Sequence, residues 1–486
     1  MKEIWQSRTS FVLASIGSAI GLGNIWRFPY VCYECGGGAF LIPFLVALLT
    51  AGIPLMVLEY SVGHKFSKGA PLALGSLKKG FEILGWFALL IGFGIATYYA
   101  VVMGWAFNYL GYSFNLAWGD NTQGFFFDQF LKISESPLQL GSVQWMIALG
   151  LVLTWIAIVA SIWRGAKTVG KVVYFTVIIP WIILLVFVVR GVTLPGALEG
   201  LRYYLTPNFS ALLNYRVWLH AYSQVFFSLT IGFGVQITYA SFLPRDSDVV
   251  NNAFLVSLAD AATAFVGGFA VFATLGYYSY QTGLPVSEVV QTGPQLAFVT
   301  YPTIIKLLPF GSVIFGVLFF LMILTLGIDS AFSLVEAGAA SLIEKFNLKR
   351  IHVNIGFAIV AGAVGLIYTT KGGLFWLDIV DYFMNNFGLL LVGILMCVAV
   401  GWFYKHDEIR EYANSKSDFT IGKWWDFCIK YFTPVVVGAL FITNVIDRVK
   451  SAYGGYSRIA ETFGGWLVII VFVIVAVILF TKKRRT

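Results

Sequence analysis

Two glycine-containing runs inside long apolar stretches hold the groups best suited to binding a ligand. They are GSAIGLGN at residues 17–24 and SLTIGFG at residues 228–234. Each run places two glycines two positions apart, and a glycine inside a helix costs about 1 kcal/mol relative to alanine. The spacing is not the small-xxx-small pattern that packs membrane helices together. The two runs therefore predict helices that unwind at these points.

Unwinding would free backbone amides and carbonyls that can act as ligands. An unsatisfied backbone group is costly in lipid, so such a segment is tolerated only where it lines a cavity within the protein. Free amides at a helix N-terminus favour an anion, and freed carbonyls can hold a cation such as sodium. We therefore expect the opened groups to bind ligands.

The whole chain has the composition of a membrane protein. Of its 486 residues, 58% are hydrophobic and 12% are charged, whereas a soluble domain carries about 25% charge. The net charge of +8 comes from lysines and arginines scattered through short loops, a distribution that orients a membrane protein and does not indicate nucleic-acid binding. Tryptophans near the ends of the apolar stretches, including Trp5, Trp118 and Trp425, are expected to anchor the membrane interface.

Twelve apolar stretches are candidate membrane spans, and we number them 1 to 12. With the N-terminus inside, the lysines and arginines concentrate in the loops on that side, so both termini are predicted to be cytoplasmic, in a cell (inner) membrane. The spans are residues 10–35, 38–63, 81–112, 143–163, 168–191, 216–243, 249–280, 310–345, 352–369, 374–404, 424–446 and 464–481.

The glycine runs lie in spans 1 and 6, so the chain divides into two sets of five spans with two left over. Broken helices at matching positions of two halves are typical of inverted-repeat secondary transporters. The predicted fold is an all-α membrane protein of twelve helices, a 5+5 inverted repeat with unwound helices 1 and 6 plus two extra helices. We assign residues 1–404 to the transport core and residues 405–486 to the two additional helices.

Specific motifs support this interpretation. The runs GLGNIWRFPY at 21–30, GGGAF at 36–40 and GIPL at 52–55 resemble the neurotransmitter:sodium symporter family, as do QVFFSL at 224–229, ITYAS at 237–241 and TLGIDS at 325–330. Within the family the chain is similar to bacterial amino-acid transporters of the leucine transporter type. The resemblance covers spans 1 to 10, and the last two spans match in hydropathy only.

The resemblance implies two sodium sites. The first sodium would touch the substrate carboxylate, and its protein ligands would be the Ala19 carbonyl, Asn24, Ser228 and Asp260. Shells made only of oxygen suit hard cations and disfavour transition metals. The ligands of the second sodium would be the carbonyls of Gly17, Ile20 and Leu326 with the side chains of Asp329 and Ser330.

The resemblance also implies a substrate with its own carboxylate. Monoamine carriers of the family place Asp where this chain has Gly21, so no side-chain anion meets a substrate amine. The amides of Leu22 and Gly23 with the Tyr99 hydroxyl would receive the carboxylate. The amine would meet the carbonyls of Ala19, Phe227 and Ser228 and the Thr230 hydroxyl, and the apolar pocket would be lined by Ile95, Phe227, Phe233, Ala331 and Leu334.

Chloride is expected to be dispensable. Chloride-dependent members carry Asn, Ser and Tyr at three positions where this chain has Asp260, Ala264 and Phe44. A fixed carboxylate at residue 260 can supply the negative charge that chloride supplies elsewhere. Its protonation after release could also couple a counter-transported proton.

The family pattern implies two gates and one supporting acid. Arg27 and Asp381 match an ion pair that closes above the substrate, with Phe227 as a lid. Lys2 and Glu344 would form an inner gate, although lysine lacks the fork of the usual arginine. Glu59 is expected to support the unwound span 6 and not to bind an ion.

The favoured function is therefore sodium-coupled symport of a neutral, hydrophobic or aromatic amino acid by alternating access in the lipid bilayer. A proton-coupled exchanger of the same architecture should lack one sodium shell, and Asp329-Ser330 argues against it. An enzyme would need a nucleophile and a base or a metal cluster. A channel would need a ring of repeated pore ligands. Neither pattern is visible in the sequence.

Overall fold

The computed structural model describes residues 4–289 and 293–484, and within these ranges the regular secondary structure is helical, without a strand. Among these described residues, nine helices are each long and apolar enough to cross a membrane, and a tenth crossing is a helix pair bent by 45°. Span 4 is shorter, and span 6 is broken. The twelve spans are Arg8–Ala19 with Gly23–Glu34, Gly38–Phe66, Lys79–Ser113, Trp145–Ser161, Ala166–Val192, Tyr215–Ser228 with Val235–Ala240, Val249–Thr282, Ser312–Phe346, Arg350–Thr369, Gly373–Phe403, Lys423–Gly455 and Arg458–Thr481.

Several helices of the described residues lie outside the spans and were not predicted, among them Ala70–Leu77 between spans 2 and 3. Ala197–Leu205 lies between spans 5 and 6, and His406–Ser415 lies between spans 10 and 11. An apolar helical segment, Leu296–Leu307, lies between spans 7 and 8. Segments of this length are too short to cross a bilayer, so a search for spans of about 20 residues passes over them.

Span 1 breaks after Ala19, and the Ser18 carbonyl loses its helical hydrogen bond there. The helix ends at Ala19, and Ile20 is extended. The Ser18 carbonyl would accept from the Leu22 amide in a continuous helix. Instead it accepts from the hydroxyls of Thr230 at 2.8 Å and Ser330 at 3.1 Å, while the Leu22 amide donates to the Tyr99 hydroxyl at 3.3 Å. Three other spans thus satisfy the two opened groups.

Span 6 unwinds between Ser228 and Val235. Gly232 and Gly234 adopt positive φ angles of 83° and 73°, which glycine tolerates without a steric penalty. The Gln236 side-chain amide donates to the Leu229 carbonyl at 3.1 Å, and the Gly232 amide donates to Glu59 at 2.7 Å. The structure therefore places Glu59 as a partner of the unwound backbone.

The expected interfacial role is wrong for three tryptophans. Trp5, Trp118 and Trp425 are 3%, 1% and 0% exposed, so each is packed inside the protein. The Trp5 indole donates to the Tyr239 carbonyl at 2.9 Å, and its backbone amide donates to the Phe242 carbonyl at 3.0 Å. Position near a span end predicted the interface, but a tryptophan can equally fill the gap between two helix ends.

The two C-terminal spans pack against the core. The Trp425 indole donates to the Pro54 carbonyl at 3.0 Å, which ties span 11 to span 2. The ammonium of Lys345, at the end of span 8, donates to the Leu479 carbonyl near the end of span 12 and to Glu82 of span 3, both at 2.5 Å. A cation at a helix C-terminus is favourable because it satisfies carbonyls that lack helical partners. The division of the chain at residue 404 stays a prediction.

The Glu59 contact predicts a stability difference between two variants of similar volume. Glu59→Gln retains an oxygen that can accept from Gly232, whereas Glu59→Met leaves that buried amide without a partner. An orphaned buried amide costs about 1–3 kcal/mol. We expect Glu59→Met to melt at a lower temperature than Glu59→Gln in detergent. Equal melting temperatures would show that the contact contributes nothing.

Candidate substrate and ion site

A small cavity lies at the centre of the molecule, between the broken segments of spans 1 and 6. The volume available to the centre of a water-sized sphere is about 20 Å³. None of the described residues on its walls has a charged side chain, so backbone groups, hydroxyls and apolar side chains face the cavity. They are formed by Ser18, Ala19, Gly21, Gly23, Ile95, Tyr99, Phe227, Thr230, Phe233, Ser330 and Leu334.

Most residues proposed for the substrate lie on this wall, and three do not. Leu22, Ser228 and Ala331 are buried behind it, although the Leu22 amide reaches the Tyr99 hydroxyl. Ser18 was not predicted at all, and Ser330 was predicted only as a sodium ligand. The helix of span 1 stops one residue after Ser18, so the Ser18 carbonyl is free to accept from Ser330 and both residues lie on the wall. The glycine runs alone do not specify the residue at which the helix stops.

Gly21 is required at its position by close contacts. A Cβ atom there would lie 2.3 Å from the Ser330 hydroxyl oxygen and 3.1 Å from that of Tyr99. Its amide donates to the Asn24 side-chain oxygen at 3.1 Å. The Ser330 and Tyr99 hydroxyls thus occupy the space that a side chain at residue 21 would need, and glycine leaves this part of the cavity without an acidic group.

Three of the residues predicted for the first sodium form one buried cluster. The Asn24 amide donates to an Asp260 carboxylate oxygen at 2.7 Å, and the Ser228 hydroxyl lies 2.9 Å from both carboxylate oxygens. Asp260 is 1% exposed and makes no salt bridge with the described residues. A buried carboxylate without a cation is unfavourable, so this cluster fits a bound cation. The fourth predicted ligand, Ala19, lies on the wall of the adjacent cavity.

The residues predicted for the second sodium also come together in part. One Asp329 carboxylate oxygen is buried without a hydrogen-bond partner, and the other would lie 2.6 Å from a Cβ atom placed on Gly17. Ser330 reaches span 1 through the Ser18 carbonyl. Leu326 and Ile20 are buried on the same two spans, 8 and 1. An orphaned buried carboxylate oxygen beside the end of a broken helix fits a hard cation.

A second, larger cavity of about 650 Å³ lies above the small one, toward the membrane face opposite the described ends of the chain. Arg27, Asp381 and Phe227 line it. Arg27 and Asp381 are not ion-paired: the guanidinium lies 4.8 Å from the centre of the Phe227 ring, and Asp381 accepts from Tyr98 at 2.6 Å and Asn385 at 2.9 Å. In this structure the two residues of the predicted outer gate, Arg27 and Asp381, are therefore apart.

The opposite side of the cavity is closed. Trp5 packs against Tyr239 with a ring separation of 5.2 Å. Glu344 accepts from the Gly69 amide at 2.7 Å. Lys2, its predicted gate partner, lies outside the described residues. The path from the site is thus sealed on the side of the termini.

Two glutamines with a structural role at the site were missed. The Gln224 side chain donates to the Gly23 carbonyl at 3.0 Å, and Gln236 reaches Leu229. Both lie in the middle of an apolar span, where an uncharged amide is costly unless it is paired. That signal could have assigned them as partners of the unwound backbone.

The chain is similar to known proteins along its whole length. The model of the sodium:neurotransmitter symporter family matches residues 2–123 and 119–486. The chain is 43% identical over its full length to an uncharacterized sodium-dependent transporter of Methanocaldococcus jannaschii, covering 98% of that protein. It is 36% identical to the human sodium- and chloride-dependent GABA transporter 2, over 92% of this chain and 81% of the relative.

This chain belongs to the sodium:neurotransmitter symporter family. A solved structure of MhsT in complex with L-phenylalanine matches with a TM-score of 0.80 at 29% identity, over 91% of this chain and all of that one. The predicted fold of the family is thereby confirmed. Family members are sodium-dependent transporters and not enzymes, so this symporter is a multi-pass membrane transporter.

Proposed function

We propose that this symporter carries a neutral amino acid with an aliphatic or aromatic side chain, together with sodium. The observation that carries the proposal is the cavity wall, which has no charged side chain and no room for one at Gly21. A substrate that enters such a site has to bring both of its own charges. Phenylalanine bound to MhsT is a molecule of this kind.

The two ends of the cavity differ in the groups they offer. The Tyr99 hydroxyl accepts from the Leu22 amide, so its own proton remains for donation to a substrate carboxylate. The Gly23 amide lies at the N-terminal end of the second half of span 1, where a helix favours an anion. The substrate amine would donate to the carbonyls of Ala19, Phe227 and Ser228 and to Thr230.

The substrate side chain would occupy the apolar part of the site. Ile95, Phe233 and Leu334 line the cavity, and Ala331 lies behind them on span 8. None of these side chains can neutralise a charge, so lysine and glutamate should be excluded by the cost of burying an unpaired ion.

Two sodium ions would neutralise the two buried carboxylates. The first would bind at Asn24, Ser228, Asp260 and the Ala19 carbonyl, where the substrate carboxylate supplies a further oxygen. The second would bind at Asp329, Ser330 and the carbonyls of Gly17, Ile20 and Leu326. Because the first ion and the substrate share a contact, each should bind more tightly in the presence of the other.

Transport would proceed by alternating access. The cavity of about 650 Å³ admits the substrate from one face, and closure brings Arg27 and Asp381 together over Phe227. Release on the other face requires Trp5 to leave Tyr239 and Phe242. The excess of lysine and arginine on the side of the termini places that side in the cytoplasm of the cell.

Removing the second carboxylate should remove sodium-driven transport. Asp329→Asn keeps the size of the side chain but loses the charge that compensates sodium, so we expect sodium-driven uptake in proteoliposomes to be nearly abolished. Asp246→Asn, in an exposed loop, is the control with the same charge change. A well-folded Asp329→Asn variant with unchanged sodium dependence would contradict the second site.

Chloride should be dispensable because Asp260 supplies a fixed negative charge next to the first sodium. Initial uptake rates should remain unchanged when chloride is replaced by gluconate at constant sodium. A large loss of rate would show that Asp260 does not take the place of chloride. The relatives named as chloride-dependent make this comparison informative.

The substrate carboxylate should be essential for tight binding. Leucine, tyrosine and tryptophan should compete for the site better than isoamylamine, tyramine and tryptamine, since each buried donor left unpaired costs about 1–3 kcal/mol. Tyr99→Phe should weaken amino-acid binding while retaining the ring. Competition binding in the presence of sodium tests this prediction. Amines that bind as tightly as their parent amino acids would refute the proposed orientation of the substrate.

A further inference from the structure

A groove on the outer surface of the bundle is distinct from the substrate path. It has a volume of about 390 Å³ and lies between spans 3, 8, 9 and 12. Its size is within the range of pockets that hold small molecules. Its walls include Phe93 of span 3, Gly356, Phe357 and Val360 of span 9, and Leu479 of span 12.

The groove has the length of one membrane leaflet. Lys349 and His352 line it at the beginning of span 9, and Val360 lines it eleven residues later. At 1.5 Å per helical residue, this distance is about 16 Å. The hydrocarbon core of a bilayer is about 30 Å thick. The groove thus runs from the membrane surface on the side of the termini to about the middle of the membrane.

The two ends of the groove differ in chemistry. Toward the membrane centre its wall is aromatic and aliphatic. The rings of Phe93 and Phe357 are in edge-to-face contact there, with their centres 5.2 Å apart. At the surface end Lys349 is exposed and makes no salt bridge with any described side chain. Lys345, by contrast, is buried and is paired with Glu82. The positive charge at the mouth is therefore available to a ligand.

A second group of positive charges lies at the same end. Leu479 lines the groove, and the exposed residues Lys482 and Lys483 follow it within about one helical turn. Basic pockets between membrane helices on the cytoplasmic side bind acidic lipid headgroups. Apolar walls below and cations above match a molecule with an acyl chain and an anionic headgroup.

We propose that this groove is a binding site for an anionic diacyl phospholipid of the leaflet on the side of the termini. One acyl chain lies along Phe93, Phe357 and Val360, and the phosphate contacts Lys349. The lipid joins span 9 and span 12 to spans 3 and 8. The site is independent of the substrate and sodium sites.

Gly356 offers a direct test of the groove as the place of binding. A Cβ atom on Gly356 would meet nothing within 4 Å, so the groove is open in front of it. Gly356→Leu fills this space, and leucine is favoured over glycine in a helix, so the variant should fold. Gly356→Ala is the matched control, because a single methyl group leaves most of the groove open.

Lys349 offers a separate test of the headgroup. Each lysine near an acidic lipid surface contributes a factor of about five in binding. Lys349→Gln should therefore lower the preference for an anionic lipid about fivefold. Lys423→Gln is the control, since Lys423 is exposed at the start of span 11 on the same membrane face and does not line the groove.

The experiment is native mass spectrometry of the full-length protein in detergent, titrated with dioleoyl phosphatidylglycerol or dioleoyl phosphatidylcholine. We expect phosphatidylglycerol adducts to be favoured, lost in Gly356→Leu, retained in Gly356→Ala and reduced about fivefold in Lys349→Gln. Equal binding of the two lipids would refute the headgroup assignment. Unchanged adducts in Gly356→Leu would refute the groove. A stable dimer that takes up phosphatidylglycerol only after dissociation would show that a second copy covers this face.

Discussion

The hydrogen bond that a continuous helix would form between the Ser18 carbonyl and the Leu22 amide is absent, and much of the central architecture follows from its loss. In a membrane the separated groups cannot form hydrogen bonds with water, so each needs a partner within the protein. The carbonyl accepts from Thr230 and Ser330, and the amide donates to Tyr99. Spans 3, 6 and 8 therefore have to converge on span 1 at this level. The cavity is the space left between them.

The same constraint acts on span 6 and is met differently. There the unwound backbone is held by Glu59 from span 2 and by Gln236 from its own second half. Gln224 of span 6 in turn supports the Gly23 carbonyl of span 1. The two broken segments thus share partners, and their polar groups can face a ligand without exposing backbone to lipid. Asp260 and Asp329 are buried beside this polar layer, and neither forms a salt bridge with a described residue.

Much of this arrangement could be predicted from the sequence, because some residues are unusual in an apolar span. Paired glycines located the breaks, and the position of Glu59 in a hydrophobic run marked it as a partner of the backbone. The convergence of Thr230 and Ser330 on Ser18 could not be predicted, since it depends on the rotation of three helices about their axes. Trp5 was misassigned for a similar reason: hydropathy gives depth in the membrane but not whether a side chain faces lipid or protein. The short helix His406–Ser415 was missed because its length carries no membrane signal.

The Ser18 carbonyl also has a dynamic consequence. One oxygen accepts from Thr230, on the wall of the small cavity, and from Ser330, which follows Asp329 in the chain. A rotation of this single peptide plane changes the geometry of both hydrogen bonds at once. A displacement of the first half of span 1 therefore affects its contacts with span 6 and with span 8 together. The two regions are therefore linked mechanically through one peptide group.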